Sequence, residues 1–409
     1  MRVLVVLPRF PYPAERGDTL RSWATVSALA RNHEVWLACL NAVRPAPTHL
    51  EHVRGRCAAV AVCVCPARTA LRRGLVALLR GQSVTEGYFY DRRLEVVLRR
   101  WSRTVAFDAL LTYSSAMGWV AEIVEARRRV LDLGDVDSVK WALYATRCGP
   151  PLGWLYGCEA RRVAALEERV TRRHDLCLVV NERERAKLHG RFPELPTAVY
   201  PTTIARSQLI PAADMKLPSQ PVVGMLGSMF YPPNVRAVNW FGRYVWPAVR
   251  EEVPQARWLI VGQRPHRQVR RWARTPGVTV TGYVANVRPR LLSMRVFVNA
   301  VDNDLGVQSK LIVAMAAGRP CVVTPACAAG LDVGDPPPFL VADTPAAFAE
   351  AVVRLLRDDA QARELARRAR AFVDERYCLE DQVARLEKWL AGPLVTAPRV
   401  RAQTEVIGA

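Results

Sequence analysis

Lysine is scarce in this chain. Of its 58 basic residues only Lys140, Lys187, Lys216, Lys310 and Lys388 are lysines, and the rest are arginines. That bias, with abundant Ala, Val and Pro, fits a high-GC genome. Acidic residues are also few, 38 in all, which leaves a formal net charge of +20. Much of this describes a solvated surface, but a field of that sign also favours phosphates, anionic lipid or nucleic acid. Basic residues interleaved with aromatics on a recognisable binding motif are missing, so nucleic acid is not expected as a partner.

Long apolar runs are missing too. No stretch reaches the roughly 18 to 20 residues of a membrane span. The opening run Met1–Leu7 meets Pro8 before it is long enough for a signal peptide. A cytoplasmic protein is expected, soluble or attached to the inner face of a membrane. None of the ten cysteines forms a paired CxxC of the zinc or redox kind. Cys63 and Cys65 alternate in an apolar run and read as small buried hydrophobes in a reduced compartment. Short repeats are absent as well.

What is present is enough for two ordinary cores: 409 residues, half of them apolar. β-rich runs at 2–7, 34–40, 58–64, 109–112, 129–133 and 176–180 alternate with helical patterns, which predicts a parallel, doubly wound sheet. The segment Tyr200 to Pro221 carries four prolines and little periodicity, as a linker would. A second series follows, with strands at 222–226, 258–261, 278–281, 296–300 and 321–324. The expected organisation is an N-terminal domain over 1–205, a linker over 206–220 and a second domain over 221–376. A helix over 377–391 and a loose tail over 392–409 complete it. Two Rossmann-like halves make the cleft between them the natural ligand site.

Ligands in such folds bind outside the carboxyl ends of the strands, and glycines collect there. Gly17 precedes a helix that starts at Asp18, itself a good N-cap. Gly227-Ser228 leads toward Asn234, a candidate cap of the next helix. Gly262 and Gly282-Tyr283-Val284 end further strands. The most pointed element is D-N-D-L-G-V-Q-S-K from Asp302 to Lys310. Gly306 and Gln308-Ser309 open a helix whose first turn presents free N–H groups to an anion. Lys310 in that turn opposes the helix dipole, a cost that a bound diphosphate offsets. In the first half, Asp132, Asp135 and Asp137 end a strand, where they could orient a hydroxyl or act as base. Asp137 is also a candidate helix cap. Residues 67–80 and 92–103 read as basic amphipathic helices. Each could lie in an anionic membrane interface or pack on a sheet as an ordinary surface helix.

A family pattern runs through Arg9-Phe10-Pro11-Tyr12-Pro13, Gly17-Asp18, Arg21-Ser22, Asp132, Asp135-Val136-Asp137-Ser138, Lys140-Trp141 and Glu159. It continues through Gly227-Ser228, Asn234, Val287-Arg288-Pro289, Gly306, Gln308, Lys310 and Ala314-Met315-Ala316. The sequence resembles the retaining GT-B glycosyltransferases, and among them the exopolysaccharide-associated sugar transferases, nearly to Trp389. The resemblance implies an α/β fold of two Rossmann-like domains facing a cleft, with the last helix crossing back to the first domain. It implies transfer of a sugar from a nucleotide-diphosphate sugar to a bacterial glycan, a lipid-phosphate-linked acceptor or a small natural-product molecule. The donor is a co-substrate, and neither cofactor nor metal is expected.

Carried over position by position, donor binding falls to Gly17, Gly227, Ser228, Asn234, Gly262, Tyr283, Val284, Asp302, Asp304, Gly306, Gln308, Ser309 and Lys310. Asp18, Arg21 and Asp132 lie on the acceptor side, and Asp135, Asp137 and Lys310 carry catalysis. The sequence also departs from the family. Val313 stands where a glutamate grips the donor ribose, and Leu305 stands where many relatives place another acid. Thr202-Thr203-Ile204-Ala205 replaces Asn-Gly-Val-Asp, and Ala300-Val301-Asp302 replaces Pro-Leu-Arg. These departures favour the alternative of a degenerate, non-catalytic partner or scaffold. Asp302-Asn303-Asp304 also matches the D-x-D metal pattern of another transferase architecture, against which the alternating halves argue.

Overall fold

A computed structural model describes residues 1–14, 17–302 and 306–392. Its first sheet holds seven parallel strands: β1 (Arg2–Leu7), β2 (Glu34–Asn41), β3 (Ala59–Val64), β4 (Phe107–Tyr113), β5 (Ala126–Gly134), β6 (Leu176–Val179) and β7 (Thr197–Val199), in the order β3-β2-β1-β4-β5-β6-β7. The near-continuous apolar run of β1 is explained by its position, between β2 and β4 with both faces covered. One face packs Val3, Val5 and Leu37 and the other packs Leu4, Val6 and Leu110.

The second sheet has six parallel strands: β8 (Val222–Leu226), β9 (Arg257–Val261), β10 (Val278–Val280), β11 (Val296–Asn299), β12 (Cys321–Val323) and β13 (Leu340–Val341), in the order β10-β9-β8-β11-β12-β13. The strand order reverses between β1 and β4 in the first sheet and between β8 and β11 in the second. Crevices open at such points because neighbouring crossovers leave in opposite directions. The expected α/β architecture of two doubly wound halves is therefore the one found.

The helix Leu379–Ala391 returns to the first domain. Its Leu379, Val383, Leu386 and Leu390 enter the core beside Val3 and Leu37. A bridge between Ile204 and Cys378 ties it to the chain leaving β7. Arg206 clamps the same crossing through Asp374 and Asp381, each at 2.9 Å.

Several local expectations are corrected. The strands β7 and β13 and the helix Pro47–Arg54 were too short to show a period. Asn234 does not cap its helix, which begins at Pro232 after Tyr231. Asp137 does not cap either: it is the first residue of its helix and pairs with Lys140 at 3.1 Å. The helix Ala67–Leu79 inverts the ordinary packing. It buries Ala70, Gly74 and Ala77 and leaves Leu71, Leu75, Val76 and Leu79 exposed. Gly74 allows this by lying against Val84, where a Cβ would come within 2.9 Å of its side chain.

Candidate active site

The loops after β8 and β11 flank the switch point of the second sheet. Gly227 follows β8, and Gly262 crosses it so closely that a Cβ there would sit 1.7 Å from the Gly227 carbonyl oxygen. Asn234 turns back to donate to the Ser228 carbonyl at 3.1 Å. Its amide oxygen accepts from Lys310 Nζ at 2.5 Å. That lysine lies in the first turn of the helix Ser309–Ala316. Burial pushes its pKa down to about 8, and the nearest titratable group, the Cys327 thiol, is itself pushed up to about 12 by burial and so stays neutral. Among the described residues no carboxylate reaches it. The expected free first-turn N–H groups are only partly there: the Ser309 and Leu311 N–H groups donate to the Val307 and Gln308 carbonyls at 3.0 and 2.8 Å. What the turn offers an anion is therefore chiefly the Lys310 ammonium, whose partner is a neutral amide.

The first domain closes over this point. Gly17 meets Ser309, whose Oγ would lie 3.2 Å from a Cβ on the glycine. Gly306 adopts φ +59°, a left-handed conformation that suits glycine, and rests against Asp135. Asp135 follows an irregularity in β5 where the register shifts between Asp132 and Gly134. Such a bulge re-aims the residues after it. Burial pushes the Asp135 carboxyl up to about 6, Glu184 and Asp137 add to the rise, and Lys140 and Arg21 oppose it.

Asp132 and Arg21 lie beneath this surface. They form a buried pair at 2.9 and 3.0 Å, with the guanidinium 4.6 Å from the Tyr200 ring centroid. A third bond, from the Gly134 N–H at 3.1 Å, occupies Asp132 further. Both side chains are buried. Asp18 is half-buried and pairs with Arg9 at 2.7 Å.

Asp302 pairs with the helix Pro232–Trp240. Arg236 holds its carboxylate at 2.8 Å through two bonds and keeps it below the usual range. The Asp302 carbonyl accepts from Arg147 of the first domain at 3.4 Å. Asp304 and Leu305 lie outside the described residues. Tyr283 is exposed and Val284 is partly buried beside Val313 in one apolar cluster. Gln308 caps the Lys310 helix without a side-chain bond.

Some residues at the cleft carried no signal in the sequence. Tyr231 and Tyr144 hydrogen-bond across it, and burial first, then Tyr144, pushes Tyr231 up to about 12. Asn181 donates to the Gly330 carbonyl at 3.0 Å, and the Glu182 N–H donates to Asp332 at 2.9 Å. Ser114, at the end of β4, is held at φ +74°, a strained conformation of the kind found at functional sites. No pattern along the chain marks such pairs, because their members come from different domains.

Residues 220–358 match the family model described as glycosyl transferases group 1. A search of curated proteins finds no match. Among solved structures the chain is similar to sucrose-phosphate synthase from Thermosynechococcus elongatus, at 16% identity and TM-score 0.68 over 95% of this chain and 98% of that one. It is also similar to HepE from Anabaena in complex with UDP and glucose, at 12% identity and TM-score 0.65 over 96% and 99%. A third is WaaG, described as a glycosyltransferase involved in lipopolysaccharide biosynthesis, at 15% identity and TM-score 0.63 over 95% and 100%. The chain thus has the two-domain GT-B fold, and its second domain matches the group 1 glycosyl transferases.

Proposed function

We propose that the chain is a glycosyltransferase that moves a sugar from a nucleotide-diphosphate sugar to a glycan, lipid-linked or small-molecule acceptor, with retention at the anomeric carbon. The observation that carries this reading is the partly buried Lys310 ammonium at a helix N-terminus, held by the Asn234 amide and without a carboxylate partner among the described residues. Supporting it, the HepE structure was solved with UDP and glucose. As the bond from the sugar C1 to the diphosphate breaks, negative charge grows on the leaving oxygens. The Lys310 ammonium then stabilises it where it forms. Asp135 faces the same point from the acceptor domain, and a carboxyl near 6 suits removal of a hydroxyl proton at neutral pH.

The phosphate pole is built and charged, which favours catalysis over a scaffold role. Lys310→Ala should lower kcat by at least about 100-fold, the scale of losing a transition-state charge contact, with little change in acceptor KM. Unchanged turnover would overturn the reading.

An anionic membrane surface belongs to the same proposal. Leu71, Leu75, Val76 and Leu79 are exposed on the helix Ala67–Leu79, beside the exposed Arg68, Arg72 and Arg80. Apolar anchors with flanking cations suit an anionic interface. No described helix is long and apolar enough to cross a membrane.

A further inference from the structure

The second domain contains a cavity of about 910 Å³ whose wall includes Arg236, Trp240, Arg243, Tyr244, Arg271 and Trp272. None of the groups around Lys310 lines it. One wall is the helix Pro232–Trp240 and the π-turn Phe241–Val245 that continues it. A π-turn distorts the helix and is found frequently at functional sites. Here it carries Arg243 and Tyr244, both exposed. The frame beneath them is tight. Gly242 lies against Trp272, where a Cβ would come within 2.5 Å of the ring. The Trp272 Nε1–H donates to Asn239 at 3.0 Å, and the Asn239 amide donates to Gln268 at 3.1 Å.

The charges of this wall are unbalanced. Arg236 is engaged by Asp302, and Asp343 is the other acid of the lining. Among the described residues, Arg243 and Arg271 have no carboxylate within ion-pair distance. Arg243 lies instead 5.9 Å from the Tyr244 ring centroid. The adjoining Arg267, Arg270 and Arg274 are exposed and likewise without an acidic partner among the described residues.

We propose that this cavity binds an acidic saccharide chain at a site separate from the sugar-transfer centre. Arginine forks match carboxylate groups in two-point contacts. Tryptophan and tyrosine offer rigid apolar area with a polar edge, as sugar rings require. The volume lies in the range of small-ligand sites, and the concave shape suits an oligosaccharide better than a flat bilayer. Asp302 lines the cavity and its carbonyl receives Arg147 of the other domain, so a bound chain lies beside the cleft.

The test is calorimetric titration of the full chain with hexagalacturonate, without any nucleotide sugar. Binding should persist in Lys310→Ala, which separates this site from the proposed transfer centre. Arg243→Gln/Arg271→Gln should weaken it at least about tenfold, as loss of two charge-assisted contacts implies. Tyr244→Ser should weaken it roughly threefold with the same salt dependence, and neutral maltohexaose should bind far more weakly. Absence of hexagalacturonate binding, or equal binding by the double variant, would overturn the proposal. So would binding of phosphatidylglycerol vesicles or duplex DNA that is as tight and as sensitive to the same substitutions, since the patch would then read charge alone.

Discussion

A methyl group on Gly306 would lie 2.5 Å from Oδ1 of Asp135, so the loop ahead of Lys310 and the acidic strand end of the other domain are in direct contact. Gly306→Ala meets both that carboxylate and the cost of a left-handed φ, about 1–2 kcal/mol for a residue with a Cβ. The expected result is a lower melting temperature and a raised donor KM. Asp135→Gly should recover part of the lost stability when combined with it, a non-additivity that a double-mutant cycle reads directly.

Asp135 also sets a pH dependence. Its carboxyl titrates near 6 in the fold and near 4 when unfolded. The folded state therefore binds more protons between these values, and stability falls as pH rises from about 4 to 6. Asp135→Asn should be more stable than the parent at pH 7 and less active. The acidic limb of its pH–rate profile, near 6 in the parent, should vanish.

Lys310 has the opposite protonic sign. Its pKa is lowered to about 8 in the fold, so the unfolded chain binds more protons above 8, and stability rises through roughly pH 8 to 10. Holding the ammonium at neutral pH costs the fold up to about 3 kcal/mol. Lys310→Met should raise the melting temperature at pH 7 while abolishing turnover. Under the proposed function, affinity of the parent for a nucleoside diphosphate, followed by calorimetry, should fall as pH rises past 8, with proton uptake on binding there. A flat profile in Lys310→Met completes the comparison.

Val313 is partly buried against an apolar cluster that includes Val284 and Val287. If the resemblance places the donor ribose beside it, Val313→Glu restores an acceptor for two hydroxyls. Nucleotide affinity should then improve about tenfold, the scale of one charge-assisted hydrogen bond, with some loss of stability from the buried carboxylate.

The exposed leucines of the helix Ala67–Leu79 should govern membrane attachment. Flotation with vesicles containing phosphatidylglycerol should recover the parent chain, and Leu75→Ser/Leu79→Ser should release most of it. The double variant should keep its melting temperature, because both side chains are already in solvent.

The parallel sheets were legible because strands covered on both faces must be apolar along their length, as β1 and β8 are. The glycine-led loop and Lys310 were legible because a cation opposing a helix dipole is locally unfavourable. The pairing of Asp302 was not legible, since its two hydrogen bonds come from Arg236, 66 positions away, and a paired carboxylate looks the same in one dimension as a free one. Helix 67–79 was ambiguous for a related reason. Its periodicity reveals two faces but not which one the neighbouring helix will cover.

The amino-acid order alone determined what depends on near neighbours: strand and helix periods, the glycine-ended loops and the lysine at a helix start. Tertiary structure decided what depends on residues far apart. It set Gly306 against Asp135, sealed Arg21 onto Asp132, and placed Arg243 and Arg271 around a cavity with no carboxylate partner among the described residues. Burial and pairing fix a side chain's charge state and reach, and neither exists until distant segments pack.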